Sequence, residues 1–511
     1  MGNHRARRLR LRRVVGIAVL AATGLAATFV PPVSAASGTP AGDTPDVPSP
    51  EVTGPVAGTP WSVSPTDYAQ RGYTQQEFFL HGTARSYLND GAWGDDGRWN
   101  AKVNPDAEAP YTTRILVRRP SDPAAFNGTV VVEWMNVSAG FDVEPDYVWT
   151  RNELMRRGYA YVGVSAQAVG VNHLRGNNPT RYSGLAHPGD AFSYDMFSQA
   201  AMAAISPADG GPQPLGDITD DVERVLADGE SQSGGRLITY VNSVHPLVRL
   251  FDGFLIHSAA GGAALSQPSA AGAPTTPSIP GGDVPRPTAR IRTDREEPVL
   301  LFNTETDVVP FSNLGPSGIH EQPDAATLRI WEVTGTSHVD TQLVGNLDCG
   351  GAPVNDGPEN YALSAALRHL DRWVSTGRPA PRGARITVTD GAVVRDAATG
   401  LAKGGIRLPD VTVPTRTLSG SRPSGTPGGN LFCILAGARD PWNGDADPWD
   451  GQEGIDPSPT PEPVLSELYP SHEDYVRRVT VATLIASLRG YVLPQDTTAI
   501  VETARNADVP S

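Results

Sequence analysis

Lysine is nearly absent from this chain. Lys102 and Lys403 are the only two in 511 residues, and arginine supplies the rest of the 41 basic side chains. That bias points to a GC-rich bacterial source. Cysteine is as scarce, with Cys349 and Cys433 alone. Two cysteines without clustered histidines exclude a structural zinc site, and no metal site is expected. Positive charge is also short. Fifty-six acids against 41 bases leave a net charge of −15, which does not hold a phosphate backbone, so nucleic acid is excluded as a partner. An apolar content of 39% and a charged content of 19% describe a globular chain rather than a disordered or fibrous one.

Long hydrophobic runs are missing too, with one exception at the N-terminus. Residues 14–30, VVGIAVLAATGLAATFV, follow the basic stretch HRARRLRLRR and precede Val33-Ser34-Ala35. The run is slightly short for a bilayer span and ends at a small-x-small pattern, so residues 1–35 are expected to be a signal peptide cut after Ala35. Arg7 and Arg8 suggest twin-arginine export only weakly, because the usual neighbours of the pair are missing. Cleavage removes six arginines and no acids and takes the charge from −15 to −21. The expected product is secreted, has no membrane attachment after cleavage, and offers no evident protein partner. An even cysteine count in an exported chain favours a Cys349–Cys433 disulfide, with two buried thiols as the alternative. A loop of that length would stabilise by about 4–5 kcal/mol on the chain-entropy account.

Composition divides the rest. Residues 36–60 are rich in Pro, Gly and Thr and read as a flexible lead-in. From 61 to 385, apolar strands alternate with amphipathic helices: YTTRILVRRP, GTVVVEWMN, YAYVGVSAQ, DGFLIHSAA, PVLLFNTETD and LRIWEVTGTSHVD read as strands. Between them YVWTRNELMRRG, DAFSYDMFSQAAMAAIS, GRLITYVNSVHPL (up to Pro246) and ENYALSAALRHLDRWVSTG read as helices. Such alternation implies an α/β fold with a mostly parallel central sheet and helices on both faces, with ligand chemistry at the carboxyl ends of the strands. Residues 261–297 are expected to be a lid or a disordered insertion. Residues 386–511 read as a C-terminal extension packed on the core. In it ARITVTDGAVVRD and GGIRLPDVTVPT look like short strands, and SHEDYVRRVTVATLIASLRG is a helix capped by Ser471 and closed by Gly490.

The chemistry concentrates in Gly229-Glu230-Ser231-Gln232-Ser233, between a strand and a helix. A sharp strand-to-helix turn exposes a nucleophilic oxygen and needs small neighbours two residues away, here Gly229 and Ser233. Ser231 is the expected nucleophile and Ser233 the alternative. A serine hydroxyl needs a histidine to take its proton and a carboxylate to orient that histidine. His338, just past an apolar strand, is the expected base; His257 is expected to be structural. Asp307 is the expected acid, with Glu305 the alternative. Oxyanion donors are expected from the backbone of Gln232 and from the loop near Asn136 or Val137. Acids at alternate positions in Asn443 to Asp450 do not meet an EF-hand register. Glu133 inside an apolar strand is expected either to be a buried partner for a nearby donor or to line the cleft.

On these residues the chain resembles secreted bacterial α/β-hydrolase-domain proteins, through GESQSG, VVVEWMNVSAGFD, YVGVSAQAVGV, WEVTGTSHVD and YPSHEDYVRRV…GYVLPQD. GESQS is also similar to the GESAG of carboxylesterases and the GYSQG of cutinases, both of which favour Ser231. The order Ser231, Asp307, His338 is the one that α/β-hydrolases use. The resemblance implies an α/β-hydrolase fold and a serine esterase acting on small-molecule esters without a cofactor. A serine peptidase or amidase, or an inactive binding module on the same scaffold, are the competing expectations.

Overall fold

The computed structural model describes residues 47–510 apart from 65, 260, 266–288, 309–320, 346, 350–352, 422–430, 443–458 and 460–461. The expected signal peptide therefore lies outside the described residues, as do most of the 261–297 insertion and the acidic turn at 443–450. Residues Pro45–Ser511 form one compact unit, so the extension expected from 386 belongs to the same body as the core.

Among the described residues nine strands build the central sheet: β1 Glu51–Thr53, β2 Tyr73–Asn89, β3 Ala101–Pro120, β4 Thr129–Trp134, β5 Ala160–Val164, β6 Arg224–Glu230, β7 Gly253–His257, β8 Val299–Thr304 and β9 Leu328–Val333. Their spatial order is β1-β2-β3-β5-β4-β6-β7-β8-β9. The six from β5 onward run parallel, and β1 to β3 form an antiparallel edge. The lead-in is thus not uniformly irregular, since residues 51–53 pair with β2.

Among the described residues the longer helices are α1 Pro145–Arg156, α2 Ala168–Asn177, α3 Ser193–Ile205, α4 Ser231–Thr239, α5 Glu359–Thr376, α6 His472–Arg489 and α7 Thr497–Asn506. Alternate residues of each parallel strand enter different cores. Val131, Leu226, Leu255, Leu300 and Phe302 pack with Tyr147 and Trp149 of α1 and Leu363 and Leu367 of α5. Val130, Val132, Ala227, Ile256 and Leu301 pack with Met196 and Phe197 of α3 and Leu237 of α4. Burial on both faces explains why these strands read as near-continuous apolar runs.

Helix α4 continues past Thr239 through a wide turn at Tyr240–Val244 into a single turn, His245–Val248. Pro246 lies within that turn, so the helical path passes the proline instead of stopping there. In the extension, α6 starts at a Ser471 cap and stops at Gly490 as expected. GGIRLPDVTVPT is not a pair of strands: Pro409–Thr412 form a helical turn, and Ile406 makes an isolated bridge to Val333. Cys349 and Cys433 form a disulfide, their Cα atoms 5.4 Å apart. No described helix is long and apolar enough to cross a membrane.

Candidate active site

Strand β6 ends at Glu230 and α4 begins at the next residue, which leaves Ser231 to make the whole turn. Its φ of 55° lies in the left-handed region, a strained position for a side chain with a Cβ. Crowding keeps the corner tight. A Cβ on Gly229 would stand 3.1 Å from Leu237, and one on Gly234 would stand 2.8 Å from the His257 carbonyl. Ser231 remains half-buried, whereas Ser233 is buried and donates its hydroxyl to the Glu230 carbonyl at 2.8 Å.

The structure brings Ser231, His338 and Asp307 together. His338 Nε2 lies 2.7 Å from Ser231 Oγ, and its Nδ1 lies 2.7 Å from Asp307 Oδ1. Asp307 sits in the turn Thr306–Val308 just beyond β8. Its second oxygen accepts from the Thr304 N–H (2.8 Å), the Thr304 hydroxyl (2.7 Å) and the Ser258 hydroxyl (2.6 Å). Burial alone would raise this carboxyl. The His338 charge and hydrogen bond, with the Ser258 and Thr304 donors, outweigh it and hold Asp307 well below the usual carboxylate range. An ionised Asp307 accepts only, so Nδ1 carries the hydrogen of a neutral His338 and Nε2 is left to accept from Ser231. Burial opposes charge on the His338 ring, but Asp307 and Glu230 raise its pKa above the ordinary value. The His338 N–H donates to Thr306 Oγ1 at 3.0 Å, which fixes the loop beyond β9.

The remaining expected residues have other places. Glu305 is turned away from His338. It accepts from the N–H groups of Gly335 (2.9 Å) and Gly420 (3.0 Å) and from Arg395 (2.8 Å), tying the core to the extension. Gln232 lies in the first turn of α4, where backbone N–H groups lack helical partners. Asn136 corrects the oxyanion expectation. Its N–H closes a bridge to the Val143 carbonyl at 2.9 Å, and its side chain donates to the Glu230 carbonyl (3.1 Å) and Oε2 (2.8 Å). Both the N–H and the side chain of Asn136 thus already have partners, and Val137 is the other position expected in that loop.

Three partners were not anticipated. Ser258, itself at φ 50°, and Thr304 hold Asp307. Glu230 places Oε1 3.2 Å from His338 Nε2. Beneath them lies a buried polar cluster: His257 Nδ1 meets Asp146 at 2.8 Å and its Nε2 meets Glu359 at 2.9 Å. Glu133 accepts from the N–H groups of Asp146 and Tyr147 and from the Tyr161 hydroxyl, so it caps α1 from inside the sheet. Among the described residues no group of three or more His, Cys, Asp or Glu is arranged to hold a metal ion.

A six-stranded parallel run edged by antiparallel strands, with its polar site at the carboxyl ends of β6, β8 and β9, is an α/β-hydrolase architecture. The chain belongs to that family: the description "Alpha/beta hydrolase domain" matches residues 43–502. A fungal esterase from Rhizomucor miehei is similar at 11% identity and a TM-score of 0.29, covering 59% of this chain and 85% of that one. Methylesterase BT1017 is similar at 16% identity and a TM-score of 0.27, covering 46% and 43%. The dienelactone hydrolase of Anabaena variabilis is similar at 12% identity and a TM-score of 0.26, covering 57% and 98%. At such scores these likenesses carry no argument about activity. A search among curated proteins found no match.

Proposed function

We propose that this protein is an exported serine hydrolase that cleaves carboxylic esters through an acyl-enzyme. The observation that supports the reading is the continuous chain from Asp307 through His338 to Ser231, with 2.7 Å at each junction, ending on a half-buried hydroxyl. In this mechanism Ser231 Oγ attacks the ester carbonyl carbon while His338 Nε2 takes its proton. The Gln232 and Val137 N–H groups receive the oxyanion. The proton on Nε2 passes to the departing alkoxide, which leaves as the alcohol. Water then repeats the sequence on the acyl-Ser231 ester and releases the carboxylic acid. The leader expected over residues 1–35 and the Cys349–Cys433 disulfide favour an exported product.

The test is fluorophosphonate labelling of the purified protein with the adduct located by mass spectrometry, followed by matched ester and amide substrates. The expected result is a single adduct on Ser231 and turnover of esters. Turnover of amides with the same adduct would favour a peptidase or amidase. A folded protein that takes no label would sink the hydrolase reading and leave a binding module on this scaffold.

A further inference from the structure

Glu230 has a geometry that neither the fold nor the triad requires. Its carboxyl is buried at 2% exposure, one oxygen held by Asn136 Nδ2 at 2.8 Å and the other 3.2 Å from His338 Nε2. That nitrogen is the one facing Ser231. In the resting enzyme Nε2 of a neutral ring presents a lone pair, and a carboxylate oxygen beside it has nothing to accept. Once the ring takes the serine proton, Nε2–H is a donor and the same oxygen faces a cation. The contact therefore favours one protonation state of His338, the one reached during turnover.

We propose that Glu230 is a positioning residue for His338, a second carboxylate that stabilises the imidazolium from the side opposite Asp307. This rests on the esterase reading given above and deepens it. The groups around the pair come from five elements. Asp307 stands beyond β8 and His257 at the end of β7, with Asp228 two residues back on β6. Asp146 lies in the first turn of α1 and Glu359 in the first turn of α5. Burial is the main effect on the Glu230 carboxyl and pushes it up to about 7, with His338 and His257 acting the other way. The charge on Glu230 is therefore present above about pH 7. Asn136 extends the effect, because the side chain that grips Glu230 belongs to the loop carrying Val137.

Glu230→Gln keeps the size and an oxygen for Asn136 but removes the charge; Glu230→Asp keeps the charge. Two readouts are taken on the full-length protein: the pH profile of ester kcat/KM, and the His338 ring titration by NMR after histidine-selective 15N labelling. The expected result for Glu230→Gln is an acid limb and a ring pKa lower by about one unit, because a stabilising anion is lost. The accompanying fall in kcat should be about tenfold, with KM within about twofold. Glu230→Asp should restore part of both. An unchanged ring pKa and acid limb in a folded Glu230→Gln protein would overturn the proposal, even if kcat falls, and reduce Glu230 to a support for the Asn136 loop. If Glu230→Gln does not fold, Glu230→Asp decides: a limb displaced from the wild-type position supports the proposal, and an identical profile overturns it. The ring titration does not depend on turnover. A wild-type protein without label or ester activity defeats the esterase reading separately, while the NMR result still judges Glu230.

Discussion

His257 and His338 lie at the ends of different strands of one sheet, and each has a carboxylate on either side. His257 has both ring nitrogens on acids, Asp146 and Glu359, and rests edge-on against Trp149 and Phe302 with its side chain fully enclosed. His338 has one nitrogen on Asp307 and the other on the hydroxyl of a half-buried serine. Burial disfavours charge on both rings, and in both the neighbouring acids prevail and raise the pKa. A histidine held at both ends by acidic side chains is a strut between two helix N-termini. One that ends on a hydroxyl can exchange a proton with something outside the protein. Residue type, burial and pKa direction do not separate the two; the partner of the second nitrogen does.

The sharpest way to break this comparison is to remove the hydroxyl. Ser231→Ala, or Asp307→Asn on the far side of the ring, should lower ester kcat/KM by about 10⁴-fold, whereas Ser233→Ala should change it by less than about threefold. If Ser233→Ala abolishes turnover and Ser231→Ala does not, the assignment of the two serines is inverted. Next in size is His257→Leu. It leaves Asp146 and Glu359 facing each other without a cation and should cost about 3–5 kcal/mol in chemical denaturation, since one partner of a buried pair is gone. The folded fraction should still label at Ser231, and loss of labelling at unchanged stability would make His257 part of the machinery.

The third test is pH. Glu359 is pushed up to about 8 and Glu230 to about 7, both chiefly by burial, against an ordinary value near 4.5. The folded chain therefore holds protons that the unfolded chain releases. Stability from these groups is full below about pH 4.5 and is lost as pH rises toward 7 and then 8, at about 1.4 kcal/mol per pH unit per group. Asp307 acts in the opposite sense, its contribution being lost only as pH falls below the ordinary carboxylate range. Denaturation midpoints at pH 5.5 and 8.5 should show the drop, and Glu359→Gln should flatten it. Equal midpoints would mean that the buried acids ionise without cost.

Much of this was legible from the residues in order. The parallel strands are apolar on both faces because helices cover both, and α6 carries its start and stop in Ser471 and Gly490. Ser231 could be placed because a strand, a tight corner and a helix leave their own marks in seven residues. β2 could not: Gln75, Gln76 and Glu77 break its apolar pattern, and what satisfies two of them lies across the sheet, Arg118 on Gln75 and Arg114 on Glu77. Glu133 looked out of place for the same reason, since the N–H groups it caps and the Tyr161 hydroxyl are brought to it by the fold alone. Asn136 sat in the right loop but was assigned the wrong work, because its bond to Val143 depends on a hairpin-like return that local sequence does not announce.

Thr306 has one more consequence. Its hydroxyl receives the His338 N–H and donates to the Gly420 carbonyl at 2.8 Å, while the Gly420 N–H reaches Glu305, two residues from Asp307. The loops bearing His338 and Asp307 are thus tied to one glycine about 80 residues beyond His338 in the chain. Anyone trimming this protein toward a minimal α/β-hydrolase domain would find that the unit bearing the candidate site does not end where the last strand of its sheet does. A chain cut at 385 would keep all nine strands and lose the clasp that holds its two loops in register.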